Sequence, residues 1–204
     1  MIYELRTYTT APGKALHYLE LFRTTGLPLV TRHLPMLGYW LSDVGPLNQI
    51  VHLWAYDDFN HRMRCRAGLA GETEWQRAFI EPAFTVIMSQ ESRFLSLHSE
   101  SQRFSQLTGQ RIREHPARPP SEPIFADDYC LISEHEGSAP ASQDTALASF
   151  DVILGRALGN RITLIENVDV DAVLRDQPGG PDNTTLIRPL MCSPIGTSAA
   201  REQP

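Results

Sequence analysis

The first ten residues alternate between two kinds of side chain. In an extended strand successive side chains point to opposite faces, so this alternation predicts a strand over residues 1–10. One face carries Tyr3, Leu5 and Thr7, and the other carries Glu4, Arg6 and Tyr8. The strand therefore has a mainly apolar side and a side with charged and hydroxyl groups.

Apolar residues then recur at helical spacing over residues 14–24, after a turn at residues 11–13. Gly26 and Pro28 predict a break, with a helical continuation to His33. Residues 38–44 and 48–56 read as two strands joined by a tight turn, which predicts a hairpin.

A second helical region follows the hairpin. Asp57 or Asp58 can cap a helix that runs to about Leu69, with Phe59, Met63 and Leu69 directed inward. Residues 72–88 read as helical again with a bend at Pro82, and residues 90–97 read as a fourth strand. The order β-α-β-β-α-β is that of a ferredoxin-like α+β domain, complete by about residue 98.

The rest of the chain has a weaker pattern. Residues 99–123 include a proline-rich stretch and are interpreted as a linker, residues 124–195 as a degenerate second α+β domain, and residues 196–204 as a tail. The elements predicted in the second domain are strands over 127–134, 161–168 and 184–191, and helices over 144–158 and 170–175.

The third strand carries large, mostly apolar side chains on both faces. A strand of a sheet with one solvent-exposed face would be apolar on one face only. Val51, Leu53 and Ala55 form one stripe, and His52, Trp54 and Tyr56 form the other. The two helices of such a domain cover only one face. We therefore expect the other face to pack on a second sheet, supplied by a second subunit in a homodimer or by residues 124–191.

Composition narrows the function classes. The 204 residues carry 18 basic and 24 acidic side chains, a net charge of −6 that argues against nucleic acid as a partner. No apolar run approaches the roughly 20 residues that cross a bilayer, so no membrane contact is expected. The three cysteines follow no disulfide or zinc spacing. Together with an N-terminus unlike a leader peptide, this predicts a cytoplasmic protein.

Several spaced blocks in residues 1–98 resemble the NIPSNAP family. The blocks are Tyr3 to Tyr8 (YELRTY), Pro12 to Lys14, Gly38 to Trp40, Gly45 to Gln49, His52 to Tyr56 (HLWAY), Trp75 and Ser89 to Ser92. The resemblance implies a dimeric α+β barrel, a superfamily that includes cofactor-free monooxygenases and small-molecule lyases. The second half has no YELR block, so the resemblance implies no second pocket there.

His52 and Trp54 are the main candidates for chemistry, because they lie two apart on one strand face. An imidazole beside an indole could act as a general base with an aromatic wall, or be a core histidine held by a hydrogen bond. Arg6 and Tyr8 on the first strand are further catalytic candidates. Arg6 could bind a substrate carboxylate or pair with Glu4 or Glu91.

The remaining candidates would bind substrate. Asn48 would orient it, and Trp40 would form a wall opposite Trp54, although Trp40 also fits a packing role. Arg62, with Arg66 one helical turn away, could form an anion pocket or a solvated helix face. His33 could line the pocket mouth.

No sequence pattern supports a cofactor or a metal. There is no HExxH or HxH spacing, and the carboxylates of Glu134 and Glu136 are explained by an exposed charge run. The Gly179-Gly180 turn precedes no helix that could hold a phosphate.

Two functions fit these residues. One is a small-molecule-transforming enzyme, for instance of a biosynthetic pathway, without tightly bound cofactor. It would use acid/base chemistry on an aromatic or carbonyl-bearing substrate in oxygenation, isomerisation, cyclisation or lyase reactions. The other is a non-catalytic binding or interaction module that dimerises through its sheet.

Overall fold

A computed structural model describes residues 1–137, 146–176 and 183–197, and all structural statements concern these residues. The strands are β1 (Ile2–Thr10), β2 (Met36–Val44), β3 (Gln49–Tyr56), β4 (Ile87–Glu100), β5 (Cys130–His135), β6 (Ala148–Leu154), β7 (Arg161–Ile165) and β8 (Asn183–Pro189). The α-helices are α1 (Ala15–Leu21), α2 (Leu27–Thr31), α3 (Phe59–Ala70), α4 (Glu81–Ala83), α5 (Gln102–Gly109) and α6 (Val170–Asp176).

The strands form one closed barrel in the order β1-β3-β2-β8-β5-β7-β6-β4. Neighbouring strands are antiparallel, including the two junctions between the halves, β2 with β8 and β4 with β6. The β-α-β-β-α-β order of the first half is confirmed. Read as a separate series, β5 to β8 repeat the strand order of β1 to β4.

Because the barrel closes within one chain, strands of the same chain cover the free face of the first sheet. The covering strands come from residues 130–189, the second of the two predicted sources. The inner face of the sheet is therefore not available to a second subunit. A homodimer stays a prediction, and it would have to form through another surface.

The alternation along β1 and β3 creates two separate cores. Tyr3, Leu5, Val51 and Leu53 point into the barrel, where they pack with residues of the second half such as Phe150. The opposite faces of the same strands lie under the helices, in a second cluster. The sheet thus separates two interiors, and each can hold a site.

The helical layer differs from the prediction at two points. Gly26 and Pro28 do not break the helix: α1 and α2 are joined by a π-helical segment, Phe22–Gly26. The wider turn accommodates the missing N–H of the proline without ending the helix. A second π-helical segment, Trp75–Ile80, precedes α4 and a short 3₁₀ turn at Phe84–Val86.

Helix α3 begins as predicted, with Asp58 accepting a hydrogen bond from the backbone N–H of His61 at 2.6 Å. The prediction that Phe59 and Met63 point inward is wrong, since about half of each residue is exposed. Leu69 is buried.

The predicted helix over 144–158 is wrong. Within the described part of that range the chain forms β6, which pairs with both β4 and β7. Ala148, Phe150 and Val152 alternate into the barrel, while Ile153 and Leu154 are exposed. A strand is needed here to satisfy the edge of β4, and this pairing outweighs the helical spacing of the apolar residues.

The segment interpreted as a linker contains helix α5, capped by Ser101. Its Phe104 is fully buried and contacts the rings of Tyr3 and Phe150, so α5 packs against the barrel core. The predicted strands over 127–134, 161–168 and 184–191 and the short helix over 170–175 correspond to β5, β7, β8 and α6. Residues 198–204 of the predicted tail and Gly179-Gly180 lie outside the described residues. None of the described helices combines the length and hydropathy needed to span a bilayer.

Candidate functional site

The candidate site lies on the helix-covered face of the first sheet. Strand pairing places Arg6 of β1 and Tyr39 of β2 directly beside His52 of β3, one on each side. Directly paired residues share a face of the sheet. Trp54 and Tyr8 lie on the same face, two positions along their strands.

The hydrogen bonding of His52 assigns its tautomer. The indole Nε1–H of Trp54 donates to Nδ1 of His52 at 2.5 Å. An indole nitrogen can only donate, so Nδ1 must be the acceptor and carries no proton. In the neutral ring the proton is therefore on Nε2. Nε2 is buried and has no hydrogen-bonding partner among the described residues.

The imidazole is held in its neutral form. Burial lowers the pKa of His52 well below the usual value of 6.5, and the positive charges of Arg6 and Arg66 lower it further, against a smaller opposing effect of Glu4. A second proton would also have to displace the Trp54 hydrogen bond. At neutral pH the ring is thus a fixed hydrogen-bond donor rather than a base.

Aromatic rings surround this donor. Tyr39 stacks on His52 with ring centroids 4.8 Å apart, and Phe22 stacks on the other side of Tyr39 at 3.9 Å. Tyr8 meets the imidazole edge-on at 4.7 Å. The hydroxyls of Tyr18 and Tyr39 are hydrogen-bonded at 3.1 Å, and burial is the main cause that raises the pKa of both phenols.

The cavity that these groups line is small, with a volume of about 30 Å³. That is room for about two water molecules. Its lining residues are Tyr8, Tyr18, Phe22, Val30, Leu34, Tyr39, His52, Trp54, Arg66, Leu69, Trp75, Phe79 and Phe84. Trp75 and Phe84 are only partly buried, so this side of the cavity has the thinnest cover.

Glu4 organises the charged edge of the site. Its carboxylate is fully buried and accepts hydrogen bonds from Arg62 at 2.9 and 3.0 Å, from Arg66 at 3.3 Å, from Arg6 at 3.0 Å and from Ser92 at 2.7 Å. Burial alone would raise the pKa of Glu4. The hydrogen bond from Arg62 and the charge of Arg66, followed by Ser92 and Arg6, outweigh burial and hold the pKa well below its usual range.

Six of the nine predicted site residues come together here. They are His52, Trp54, Arg6, Tyr8, Glu4 and Arg62. The guanidinium of Arg6 also donates to the hydroxyl of Tyr8 at 3.0 Å, which links the Glu4 cluster to the ring beside His52. The anion that Arg62 and Arg66 bind is thus the protein's own Glu4.

The other three predicted residues lie elsewhere. Trp40 points into the barrel, because its partner on β3 is Val51 and not His52. Asn48 is in the β2–β3 turn with φ of 59°, and its carbonyl accepts from the backbone N–H of Thr10. His33 binds Glu72 at 2.8 Å and does not line the cavity.

Sequence reasoning missed Tyr39 and Tyr18 as members of the site. Tyr39 was not among the candidate site residues, although its position on β2 relative to His52 would have placed it in the site once the register was known. Tyr18 is on α1, and only the packing of that helix on the sheet brings it to Tyr39.

Within the described residues, no three histidine, cysteine or acidic side chains are close enough together to bind a metal ion. Cys65, Cys130 and Cys192 are free thiols. Burial raises the pKa of Cys130 and of Cys192 to about 12, which keeps both as unreactive thiols at neutral pH.

Comparison with known proteins identifies relatives of the first half of the chain. The family model described as NIPSNAP matches residues 3–102. Protein NipSnap homolog 3B of Mus musculus is 41% identical over 90 residues, which are 44% of this chain and 36% of that protein. The match therefore spans little more than a third of that relative's length.

Two solved structures resemble this chain in different ways, one in sequence over about half of the chain and one in fold over nearly all of it. A NIPSNAP domain protein from Burkholderia xenovorans is 37% identical, with 48% of this chain and 96% of that chain covered and a TM-score of 0.47. An anthrone oxidase-like protein is only 10% identical but covers 97% of this chain and 96% of its own, with a TM-score of 0.53. At that identity the likeness shows the fold alone, an α+β barrel of two halves. Over residues 3–102, this chain carries a domain of the NIPSNAP family.

Proposed function

We propose that the helix-covered site binds and transforms a small phenolic or carbonyl-bearing molecule without a tightly bound cofactor. The observation that carries this proposal is the orphaned Nε2–H of His52, fixed by Trp54 and buried at the cavity wall. Leaving a buried donor unpaired costs about 1–3 kcal/mol. Such a cost is expected where a ligand oxygen completes the hydrogen bond.

The electrostatics around this donor favour a negative ligand oxygen. The charges of Arg6 and Arg66 oppose protonation of His52, and the same positive field would stabilise an enolate or phenolate oxygen at that place. A neutral imidazole N–H that points at such an oxygen acts as an oxyanion-type donor. His52 thus binds and polarises the substrate, and its proposed role changes from general base to hydrogen-bond donor.

The remaining groups of the site have supporting roles. Both carboxylate oxygens of Glu4 are engaged by arginines, so Glu4 positions Arg6 and is not a base. Tyr8 accepts from Arg6 and retains its own hydroxyl proton for donation to a ligand. Since no carboxylate near His52 is free to act as a base in the described part of the chain, the proposed substrate is one acidic enough to bind as its anion.

An anion formed in this way has several fates within the reaction types considered. An enolate can isomerise, cyclise or eliminate a leaving group. Oxygenation would agree with the description of the anthrone oxidase-like neighbour, whose likeness extends to the fold alone. The present geometry supports the common first step, which is the stabilisation of the anion.

The cavity volume sets a condition on this proposal. About 30 Å³ is too small for an aromatic substrate, so the partly buried Trp75 and Phe84 must move aside when it binds. The small volume also favours the second candidate function, a non-catalytic module in which the His52 cluster only stabilises the fold.

A chromogenic phenol separates the two functions. 4-Nitrophenol ionises near neutral pH, and its phenolate absorbs visible light, so a spectrophotometric titration reports both its affinity and its ionisation. We expect the wild type to bind the phenolate. His52→Gln retains an N–H donor and should keep most of the affinity, whereas His52→Leu should lose about tenfold, the equivalent of one hydrogen bond.

His33→Gln is the matched control, since His33 lies outside the site, and it should bind like the wild type. Folding of each variant is checked by thermal melting, and ¹⁵N NMR of the wild-type imidazole should show that the Nε2 signal shifts when the dye is added. Equal binding by His52→Leu and wild type, or no change at Nε2, would leave the non-catalytic module as the better description. A general-base role would instead make Gln as damaging as Leu in any turnover assay.

A further inference from the structure

A second and much larger cavity opens at one end of the barrel. Its volume is about 710 Å³, within the range of small-molecule binding pockets. It is lined by inward-facing residues of β1, β3 and β4 from the first half and of β5 and β8 from the second. The sheet separates it from His52, which does not line it.

The cavity has an apolar floor and a polar upper wall. Leu5, Val51 and Ile132 form the floor. Below them the barrel is filled by large side chains such as Trp40 and Phe150, with only about 10 Å³ of free space. A ligand can therefore enter this end but cannot pass through the barrel.

Hydrogen-bonding groups lie above the floor. The hydroxyls of Thr7 and Thr9 and the amide of Gln49 line the cavity. No hydrogen bond between these three side chains and other described residues is formed in this structure. They are available to a ligand.

The charges of the lining cancel one another. Arg93 binds Glu134 at 2.7 Å and Glu91 at 3.3 Å, and Arg156 binds Glu91 at 2.9 Å. The second oxygen of Glu134 accepts from Asn160 at 3.0 Å. Two arginines and two glutamates thus form one continuous chain of ion pairs along the wall. A charged ligand would have to break one of these pairs or leave its own charge unpaired.

We infer that the barrel mouth is a binding site for an uncharged amphipathic small molecule, with its apolar end on the Leu5–Val51–Ile132 floor and its polar end among the Thr7, Thr9 and Gln49 side chains. This inference goes beyond the proposed function and does not depend on His52. It also explains what the second half contributes, because Ile132, Glu134 and the start of β8 complete the wall.

Two fluorescent dyes with the same rings test both the place and the charge preference. N-phenyl-1-naphthylamine is uncharged, and 8-anilinonaphthalene-1-sulfonate adds one sulfonate to the same framework. We expect the neutral dye to bind with enhanced fluorescence and the sulfonate to bind at least about tenfold more weakly, because its charge meets a wall with no unpaired cation. Tighter binding of the sulfonate, or no binding of the neutral dye, would overturn the inference.

Substitutions then locate the bound dye. Thr7→Phe fills the mouth and should weaken the neutral dye by about tenfold or more, while the isosteric Thr7→Val should weaken it only slightly. Gln106→Phe adds the same ring at an exposed position of α5 and should change nothing. His52→Leu should also leave the affinity unchanged. If Thr7→Phe binds like wild type, or if His52→Leu abolishes binding, the dye is not in the barrel mouth and the inference is wrong.

Discussion

Successive residues of strand β1 point into two different interiors of the protein. These interiors differ in volume and in charge. Glu4, Arg6 and Tyr8 point to the helix-covered face, where the cavity volume is about 30 Å³. Leu5, Thr7 and Thr9 point into the barrel, where the mouth offers about 710 Å³. The first interior is closed by helices, and the second is open at the barrel end.

The two interiors also differ in charge. At the covered face three arginines surround one carboxylate, so a positive field remains at His52. At the mouth two arginines and two glutamates cancel. The two charge distributions therefore favour different ligands, an anion beside His52 and an uncharged molecule at the barrel mouth.

The largest difference should appear in the two carboxylates, Glu4 and Glu91. Glu4→Gln removes the negative charge that three partly buried arginines share, and it places an N–H₂ donor where a carboxylate oxygen accepted. It should lower the free energy of unfolding by about 3 kcal/mol or more. The side chain of Glu91, which pairs with Arg156, is 35% exposed. Glu91→Gln should therefore lower the free energy of unfolding by less than about 1 kcal/mol. Urea unfolding at neutral pH measures both.

Similar losses for the two variants would contradict this ranking, since they would mean that Glu4 contributes no more than a rim charge. Glu4→Gln has a second consequence that can be checked on the folded protein. Because Glu4 opposes the effect of the arginines on His52, its removal should lower the pKa of His52 further.

An intermediate effect is expected from pH. The folded pKa of His52 lies well below 6.5, so between these two values the unfolded chain binds a proton at this position and the folded chain does not. Stability from this group is present above pH 6.5 and is lost as the pH falls. Because the folded pKa lies well below 6.5, the loss between about pH 7 and about pH 5 can reach a limit of about 2 kcal/mol, which the unfolded pKa of 6.5 sets.

His52→Gln cannot titrate, and it should therefore lose less stability than the wild type over the same pH range, by up to about 2 kcal/mol. Urea unfolding of both proteins at each pH gives the difference directly, and contributions from the other histidines cancel. An identical pH dependence would show that His52 is protonated in the folded state as readily as in the unfolded chain.

The covered face was largely predictable because its evidence is local. The alternation in residues 1–10 and 48–56 determines which side chains accompany His52, and helix α3 brings Arg62 and Arg66 over Glu4 from its cap at Asp58. Trp40 was misplaced because the register of the β2–β3 hairpin pairs Trp40 with Val51 and Tyr39 with His52, and the alternation within either strand does not determine that register. The tautomer of His52 follows from the hydrogen bond between its Nδ1 and the indole N–H of Trp54, which could not be predicted from the sequence.

The barrel mouth was not predictable in the same way. Its wall joins Arg93 of β4 to Glu134 of β5, residues that are 41 positions apart in different halves. Glu134 was interpreted as part of an exposed charge run, and β6, which completes the barrel, was taken for a helix. These features depend on pairing between strands that are far apart in the chain. Such pairing produces no periodic pattern within the sequence of either strand.

The smallest effect on stability should come from Arg156, at the rim of the mouth. Its side chain is 67% exposed, and Glu91 is its one ion-pair partner among the described residues. Glu91 keeps a second contact to Arg93. Arg156→Ala should therefore change the free energy of unfolding by less than about 0.5 kcal/mol.

The effect of Arg156→Ala on dye binding is more informative, since the lining of the barrel mouth then carries one negative charge in excess. The sulfonate dye should bind still more weakly than to the wild type, while the neutral dye should be unaffected. If Arg156→Ala weakened both dyes equally, shape rather than charge balance would govern entry to the mouth, and the electrostatic contrast with the His52 side would lose its basis.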